Sequence, residues 1–443
     1  MNELPVVVIG AGPVGLAAAA ELVERGFEPL VLERGARAGA DVAEWNHVRL
    51  FSPWTELVAP AAGRLLEKTG WIRPDGETYP TGSEWAGLYL RPLAAALGDR
   101  VRFGAEVIGV ARRGRDRVVD SGRDEEPFTV HVRAADGSEE RVIARAVVDA
   151  SGTWSTPNPL GGEGLPAVGE RSAADRIGYR VPDLADETVR ARYAGKHVVV
   201  AGSGHSALTA LVALSGLADD GTRISWVLRR GAVGDTFGGG DADQLPARGA
   251  LGLRARAAVE SGQITVATGF RTEVVERDTD GRLTLISSGG QRIEQVDEVV
   301  TLSGFRPALT WLSEIRLELD PTLQAPVALA PLIDPNVHSC GTVYPHGAKE
   351  LAHPEKDFYL AGMKSYGRAP TFLAMTGYEQ VRSIAAQLAG DHEAAARVEL
   401  RMAETGVCGG AGLFDEPDDA PAAGGCCAEP EVLTLSAPSA AVR

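Results

Sequence analysis

Cysteine is scarce in this chain of 443 residues, which has four: Cys340, Cys408, Cys426 and Cys427. Four thiols, three of them beyond residue 400, cannot staple a disulfide scaffold, and their scarcity fits a reducing compartment. No C-x-x-C occurs, which argues against a redox dithiol of the thioredoxin type. Positive charge is also in deficit, with 44 Lys and Arg against 60 Asp and Glu and a net charge of −16. No basic run offsets this, so the surface repels phosphate backbones and anionic bilayers, and neither nucleic acid nor membrane is an expected partner. No apolar run reaches the roughly 20 residues needed to cross a bilayer. The start, Met1-Asn2-Glu3-Leu4-Pro5, lacks the basic residues of a secretory signal, and these absences predict a cytoplasmic protein. Aromatics are few at 6%, yet an apolar fraction of 44% is that of an ordinary globular chain.

What is present is one unit repeated. Val6 to Ile9 is an unbroken β-branched run, as in a strand buried on both faces of a parallel sheet. It runs into Gly10-Ala11-Gly12-Pro13-Val14-Gly15, then an alanine-rich stretch with helical spacing from Leu16 to Arg25, Gly26 as a helix stop, and a strand Leu30 to Leu32 that ends at Glu33. Halfway along, the same order returns: strand Val198 to Ala201, turn Gly202-Ser203-Gly204-His205-Ser206-Ala207, helix Leu208 to Gly216, and strand Ile224 to Leu228 ending at Arg229-Arg230. Between the units, Val101 to Phe103 and Phe128 to Val132 read as strands around a polar stretch, Arg112 to Pro127, expected to be an exposed hairpin or loop. Val147 to Thr153 is a strand leaving into a glycine turn, and Pro157-Asn158-Pro159 marks a linker. Further strands are expected at Glu298 to Leu302 and Phe358 to Gly362, and a helix at Gly377 to Leu388. From about Ala403 onward Gly, Ala, Pro and Asp dominate, a composition that predicts a disordered tail.

The first turn has the form G-x-G-x-x-G between strand and helix, where missing side chains let the backbone approach a pyrophosphate at the positive helix N-terminus. Glu33 lies 23 residues past Gly10, near the about 20 expected for the carboxylate that accepts from a ribose. A carboxylate there repels a 2′-phosphate, so this site suits the AMP half of FAD or NAD rather than NADP. In the second turn Ala207 replaces the third glycine, and Arg229 and Arg230 stand where the first unit has its acid. Guanidinium groups pair well with phosphate, so this unit suits NADPH; the other reading of the two arginines is a solvated strand end. Two sites of opposite charge ask for two nucleotides used together, and a flavin that takes hydride from NADPH is the simplest chemistry needing both.

These segments, with Asp149-Ala150-Ser151-Gly152-Thr153-Trp154-Ser155-Thr156-Pro157 and Ser303-Gly304-Phe305-Arg306-Pro307, resemble the two-dinucleotide-binding-domain flavoproteins, and within them the single-component flavin-containing monooxygenases, over about residues 4 to 390. The resemblance implies an α/β fold of two Rossmann-like domains with the NADP domain inserted in the FAD domain: residues 1–160 the first part of the FAD domain, 161–310 the linker and NADP domain, 311–395 the FAD domain's return segment, and 396–443 a flexible cysteine-bearing tail. It implies Gly10, Gly12, Pro13, Gly15, Glu33, Arg34, Glu106, Val107, Gly152 and Gly362 around FAD, with Gly152 and Thr153 in the chain crossing between the domains, and Gly202, Gly204, Ser206, Arg229 and Arg230 around NADPH. Three departures stand out. The F-x-G-x-x-x-H fingerprint of Baeyer-Villiger and classical flavin monooxygenases is missing before the second unit, where residues 164–182 read GLPAVGERSAADRIGYRVP. The acidic residue that follows the C-terminal flavin-contact glycine in many disulfide reductases is Met363, and the redox cysteine pair is absent.

Around the flavin ring the resemblance places Trp45, His47, Arg49, Phe51 and Trp54, with Lys364 to Phe372, Tyr366 among them, lining the pocket. The plainer reading makes the aromatics core and Arg49 surface. His338, Cys340, His346 and His353 match no zinc spacing; they read as loop residues between the domains, with Cys340 toward the pocket. Cys426-Cys427, with Cys408 upstream, forms a thiolate set suited to trivalent arsenic or mercury, similar in outline to mercury-handling flavoproteins and to flavin monooxygenase-like proteins of arsenic-resistance gene sets. The alternative is adventitious cysteines in a tail. The expected activity is therefore an NADPH-consuming, FAD-dependent monooxygenase that activates molecular oxygen as a flavin peroxide and acts on a small-molecule substrate. Two others stay open: an NADPH-dependent flavin reductase acting on a thiophilic compound or disulfide at the tail cysteines, and a flavin-bound sensor. A homodimer is an open assembly state.

Overall fold

The computed structural model describes residues 3–243, 245–337, 346–370 and 372–400. The apolar run at the start becomes β1 (Val6–Ile9), buried along its whole length, as an unalternating β-branched segment must be. The strands that follow are β2 (Pro29–Glu33), β3 (Val101–Phe103), β4 (Ala105–Arg112), β5 (Phe128–Ala134), β6 (Glu139–Ala144) and β7 (Ala146–Asp149). Then come β8 (Ile177–Gly178), β9 (His197–Ala201), β10 (Arg223–Val227), β11 (Ile264–Ala267), β12 (Thr272–Arg277), β13 (Leu283–Ser287), β14 (Arg292–Val296), β15 (Glu298–Thr301) and β16 (Phe358–Leu360). Two five-stranded sheets are parallel, ordered β16-β7-β1-β2-β3 and β11-β10-β9-β15-β8. Two three-stranded sheets, β4-β5-β6 and β12-β13-β14, are antiparallel. The chain thus has the mixed α/β architecture of two Rossmann-like units.

Register sets the functional rims. Ile9 lies opposite Leu32 on one side and Asp149 on the other, so the carboxyl ends of β1, β2 and β7 finish level. Ala201 is likewise opposite Val227 and Thr301. Ligands of open parallel sheets bind outside such carboxyl ends. Helix α1 (Pro13–Glu24) runs back over the first sheet and packs Leu16, Ala20 and Leu22 into a core shared with Tyr378, Val381 and Ile384. In the second sheet α2 (His205–Ser215) and α3 (Pro246–Glu260) share a core with Trp226. The last long helix, α4 (Ala374–Leu388), starts three residues before its predicted Gly377.

The antiparallel strands β4, β6 and β12 to β14 were not anticipated. Except in β13 their burial does not alternate cleanly, charged residues are interspersed, and register shifts at Val107/Gly109 and at Thr272/Val274 break the period. The polar stretch Arg112 to Pro127 is irregular, as expected, but it is not simply exposed. Arg112 and Arg123 are both buried and converge on the Glu355 carboxylate, each at 2.7 Å, with the Arg316 N–H donating to it at 3.1 Å. Burial alone would raise the Glu355 carboxyl, but the hydrogen bonds from Arg123 and Arg112 hold it below the usual carboxylate range. Among the described residues no helix is long and apolar enough to cross a membrane.

Candidate functional site

At the first rim each glycine has a separate reason. Gly10 has φ +98°, and a Cβ there would come within 2.9 Å of the Ala150 carbonyl. A Cβ at Gly15 would stand 2.0 Å from the Gly10 carbonyl, so α1 presses directly on its own turn. Gly12 differs: a Cβ would meet nothing within 4 Å. Gly12 is the N-cap of α1, with Pro13 at the first helical position and no side chain capping the helix. Thr81, Asp186 and Asp391 cap helices with their side chains, while the other described α-helices, like α1, have no such cap. An uncapped helix N-terminus behind open space fits a pyrophosphate. Glu33 curls back to the same turn, one carboxylate oxygen accepting from Ala11 N–H at 2.7 Å and the other from Gly35 N–H at 2.6 Å. An ionised carboxylate has about four lone-pair sites, which leaves capacity for ribose hydroxyls. Arg34 is exposed and pairs with Asp41 at 3.3 Å. Glu106 pairs with Arg133, and Val107 packs at the edge of the core beneath β1 and β2.

Two further glycines complete this rim. Gly152, with φ +68°, has open space where its side chain would be, on the chain leaving β7. Gly362, also at φ +68°, lies against Val14 of α1. Its N–H donates to Gln380 Oε1 at 2.8 Å, and Gln380 Nε2 meets Ser365 Oγ at 2.9 Å and His346 Nε2 at 2.8 Å. Beside it Lys364, fully buried, sets its ammonium 2.7 Å from Asp149 Oδ2, donates to Ser151 Oγ at 3.0 Å and faces the Trp311 ring at 4.3 Å. This pair ties the segment after β16 to the carboxyl end of β7, directly behind the first glycine turn. Removing one partner would leave the other as an uncompensated buried charge, at a cost of about 3–5 kcal/mol. Sequence reasoning placed Lys364 only in a run expected to line the pocket, and assigned no individual role to Asp149 or Gln380. The signal was there in two of them: a lone aspartate ends the apolar run VVDA, and a lone lysine follows FYLAGM.

The second rim repeats the arrangement. Gly202 has φ +133°, and a Cβ would lie 2.4 Å from the Leu302 carbonyl, as Gly10 meets Ala150. Gly204 is the N-cap of α2, uncapped by any side chain, and its missing side chain also opens on space. Ser206 follows in the exposed first turn. Arg229 is exposed, 3.5 Å from the Gly162 carbonyl, and Arg230 reaches Ser203 Oγ of the turn at 3.4 Å. The linker between the sheets is pinned by buried Glu170, which accepts from the N–H groups of Leu160 and Ala167 and from the Tyr179 hydroxyl. Burial and that hydrogen bond push the Tyr179 phenol well above its ordinary value.

The expected pocket residues have separate fates. Both ring nitrogens of His47 are buried without a hydrogen bond, with Asp183 3.8 Å away. Arg49 faces the surface, on the Tyr79 carbonyl and 3.8 Å from Glu84. Trp54 is core, and Trp45 packs on Trp85. Tyr366 is buried edge-on to Phe372, and burial raises its phenol well above the ordinary value. His353 hides beside Phe358, where burial drops its imidazole to about 4. His338, Cys340 and the thiolate set Cys408, Cys426 and Cys427 lie outside the described residues. Among the described residues no three His, Cys, Asp or Glu side chains converge as a metal site.

Comparison with known proteins shows the family and the fold. The family model for pyridine nucleotide-disulphide oxidoreductases matches residues 7–329. A ferredoxin–NADP reductase of Ignicoccus hospitalis is 26% identical over 317 residues, 70% of this chain and 81% of the relative. An indole-3-pyruvate monooxygenase, YUCCA4, of Oryza sativa subsp. japonica is 29% identical over 230 residues, 50% of this chain and 47% of the relative. The bacillithiol disulfide reductase of Bacillus cereus superposes with a TM-score of 0.63 at 21% identity, covering 87% of this chain and 99% of that one, a likeness of fold.

Proposed function

The chain belongs to the pyridine nucleotide-disulphide oxidoreductase family, and from that premise we propose an FAD-dependent, NADPH-consuming oxidoreductase, a monooxygenase that acts on a small molecule with molecular oxygen. One observation carries the reading. Two uncapped helix N-termini each stand behind a glycine that opens on free space, and the strand beside each ends in opposite charge, Glu33 at one and Arg229-Arg230 at the other. FAD, when bound, supplies a two-electron acceptor for NADPH and a means of activating oxygen.

The chain's own residues bind and orient. Backbone N–H groups at the start of α1 would face the FAD pyrophosphate, and Glu33 the adenosine ribose, while Gly362 closes the other side, held by Gln380. Arg229 and Arg230 would take the NADPH 2′-phosphate by charge-assisted contacts. Asp149 and Lys364 neutralise each other behind the turn, so no net charge is buried there.

The rice relative supports oxygen chemistry; the archaeal reductase supports a second reading, electron transfer to an acceptor other than oxygen. An oxygen electrode separates them. Oxygen uptake that matches NADPH consumption is expected. Turnover that continues under strict anaerobiosis with an added disulfide or arsenic compound, and no oxygen uptake in air, would replace the monooxygenase reading by the reductase one.

A further inference from the structure

A single stretch of chain touches both glycine turns. Gly39 N–H donates to the Ala11 carbonyl in the first turn at 3.0 Å, and the Phe51 ring lies edge-on to His205 in the second, with centroids 5.4 Å apart. Phe51 packs on the core of the second parallel sheet although it lies between β2 and β3 of the first in sequence. Between these ends Glu44 accepts from the Trp154 indole N–H at 2.8 Å and from Arg180 Nε at 3.4 Å. Trp154 stands on the crossing that leaves β7 and stacks at 4.8 Å on Phe305 of the crossing that returns from β15. The Arg180 guanidinium lies 4.0 Å from one ring and 5.1 Å from the other. The two crossings also exchange backbone hydrogen bonds, Asn158 N–H to Gly304 O and Arg306 N–H to Thr156 O.

We propose that residues 44–51 form a seam that sets the separation of the two nucleotide sites, with Glu44 and Phe51 as positioning residues for hydride transfer. The proposal rests on the functional reading above. FAD and NADPH, if held at the two turns, would supply that step: a hydride, one proton with two electrons, would leave the nicotinamide donor, oxidising it, for the flavin acceptor, reducing it, and the residues of the seam would hold the two sites apart at the working distance. Reacting atoms must come within about 3–3.5 Å, and a misplacement of about 1 Å can cost about a hundredfold in rate. A loosened seam would therefore lower the rate of transfer without altering either affinity.

Phe51→Ala and Glu44→Ala, made in the full chain, test this in two ways. With FAD and saturating NADPH under anaerobic conditions, flavin content and NADPH affinity should match the parent protein, while the rate constant of flavin reduction falls about ten- to a hundredfold. Phe51→Tyr and Glu44→Gln, which keep the ring and an acceptor oxygen, should restore most of it. A rate that is unchanged or raised, or that falls only in proportion to flavin lost, overturns the seam. In the protein without cofactors, hydrogen exchange at the amides of Asn158 and Arg306 should quicken in both alanine variants, and equal protection would also overturn it. If the parent flavin is not bleached by NADPH at all, the functional reading fails, and the exchange experiment still judges the seam.

Discussion

The two glycine turns are built alike and differ in two respects. In both, the first glycine takes a positive φ and abuts the carbonyl that follows the neighbouring strand, Ala150 in one and Leu302 in the other, and the second opens on space. They differ at the third position and in charge. Gly15 admits no methyl group because the Gly10 carbonyl is 2.0 Å from where one would stand, whereas Ala207 carries one, fully buried. The first turn faces the Glu33 carboxylate; the second is reached by the Arg230 guanidinium, with exposed Arg229 beside the Gly162 carbonyl. Under the proposed reading, a shared backbone device would serve two ligands, and the side chain at the end of the next strand would choose between them.

The largest effect should come from transplanting one turn's third residue into the other. Gly15→Ala drives a methyl group into a backbone carbonyl and should cost more than about 4 kcal/mol, read as loss of folded, flavin-loaded protein. Ala207→Gly should cost only about 1 kcal/mol in thermal or denaturant unfolding. Equal effects would dissolve the distinction between the turns. Next comes charge. Arg229→Ala with Arg230→Ala should raise the NADPH Michaelis constant about ten- to a hundredfold, the scale of charge-assisted contacts worth roughly 1.5–3 kcal/mol, and leave that for NADH nearly unchanged; a parallel rise in both would remove the case for a phosphate site.

A further effect concerns pH. Burial holds the His353 imidazole at about 4, so the folded state favours its neutral form. The resulting stability is complete above the ordinary value near 6.5 and is lost as pH falls from there toward about 4, by at most about 1.4 kcal/mol per pH unit. His353→Gln should flatten the decline in denaturant midpoint across that window, and an unchanged slope would show that other groups set it.

How much of this was legible in the sequence depended on whether the pattern was local. Both β-α-β units could be read because a buried parallel strand, a glycine turn and an amphipathic helix each leave their signature within a few residues. The acid and the two arginines were legible by spacing. The antiparallel strands were not, since β4 carries Gly109 within a bulge and β12 to β14 carry charge on their open faces. Nor were the pairings between distant segments: Asp149 with Lys364, Gly362 with Gln380, and Glu355 with Arg112 and Arg123 join residues that only the fold brings together. Arg49 shows the converse, a residue placed near the ring by resemblance and found on the Tyr79 carbonyl and beside Glu84.

The central claim is that one chain holds an electron donor and its acceptor. The most direct measurement is the absorption spectrum of the purified protein, loaded with FAD, before and after NADPH is added without oxygen. The account predicts about one flavin per chain and rapid bleaching of its visible band by NADPH. A protein that takes up no FAD, or whose bound flavin keeps its colour under excess NADPH, would contradict it.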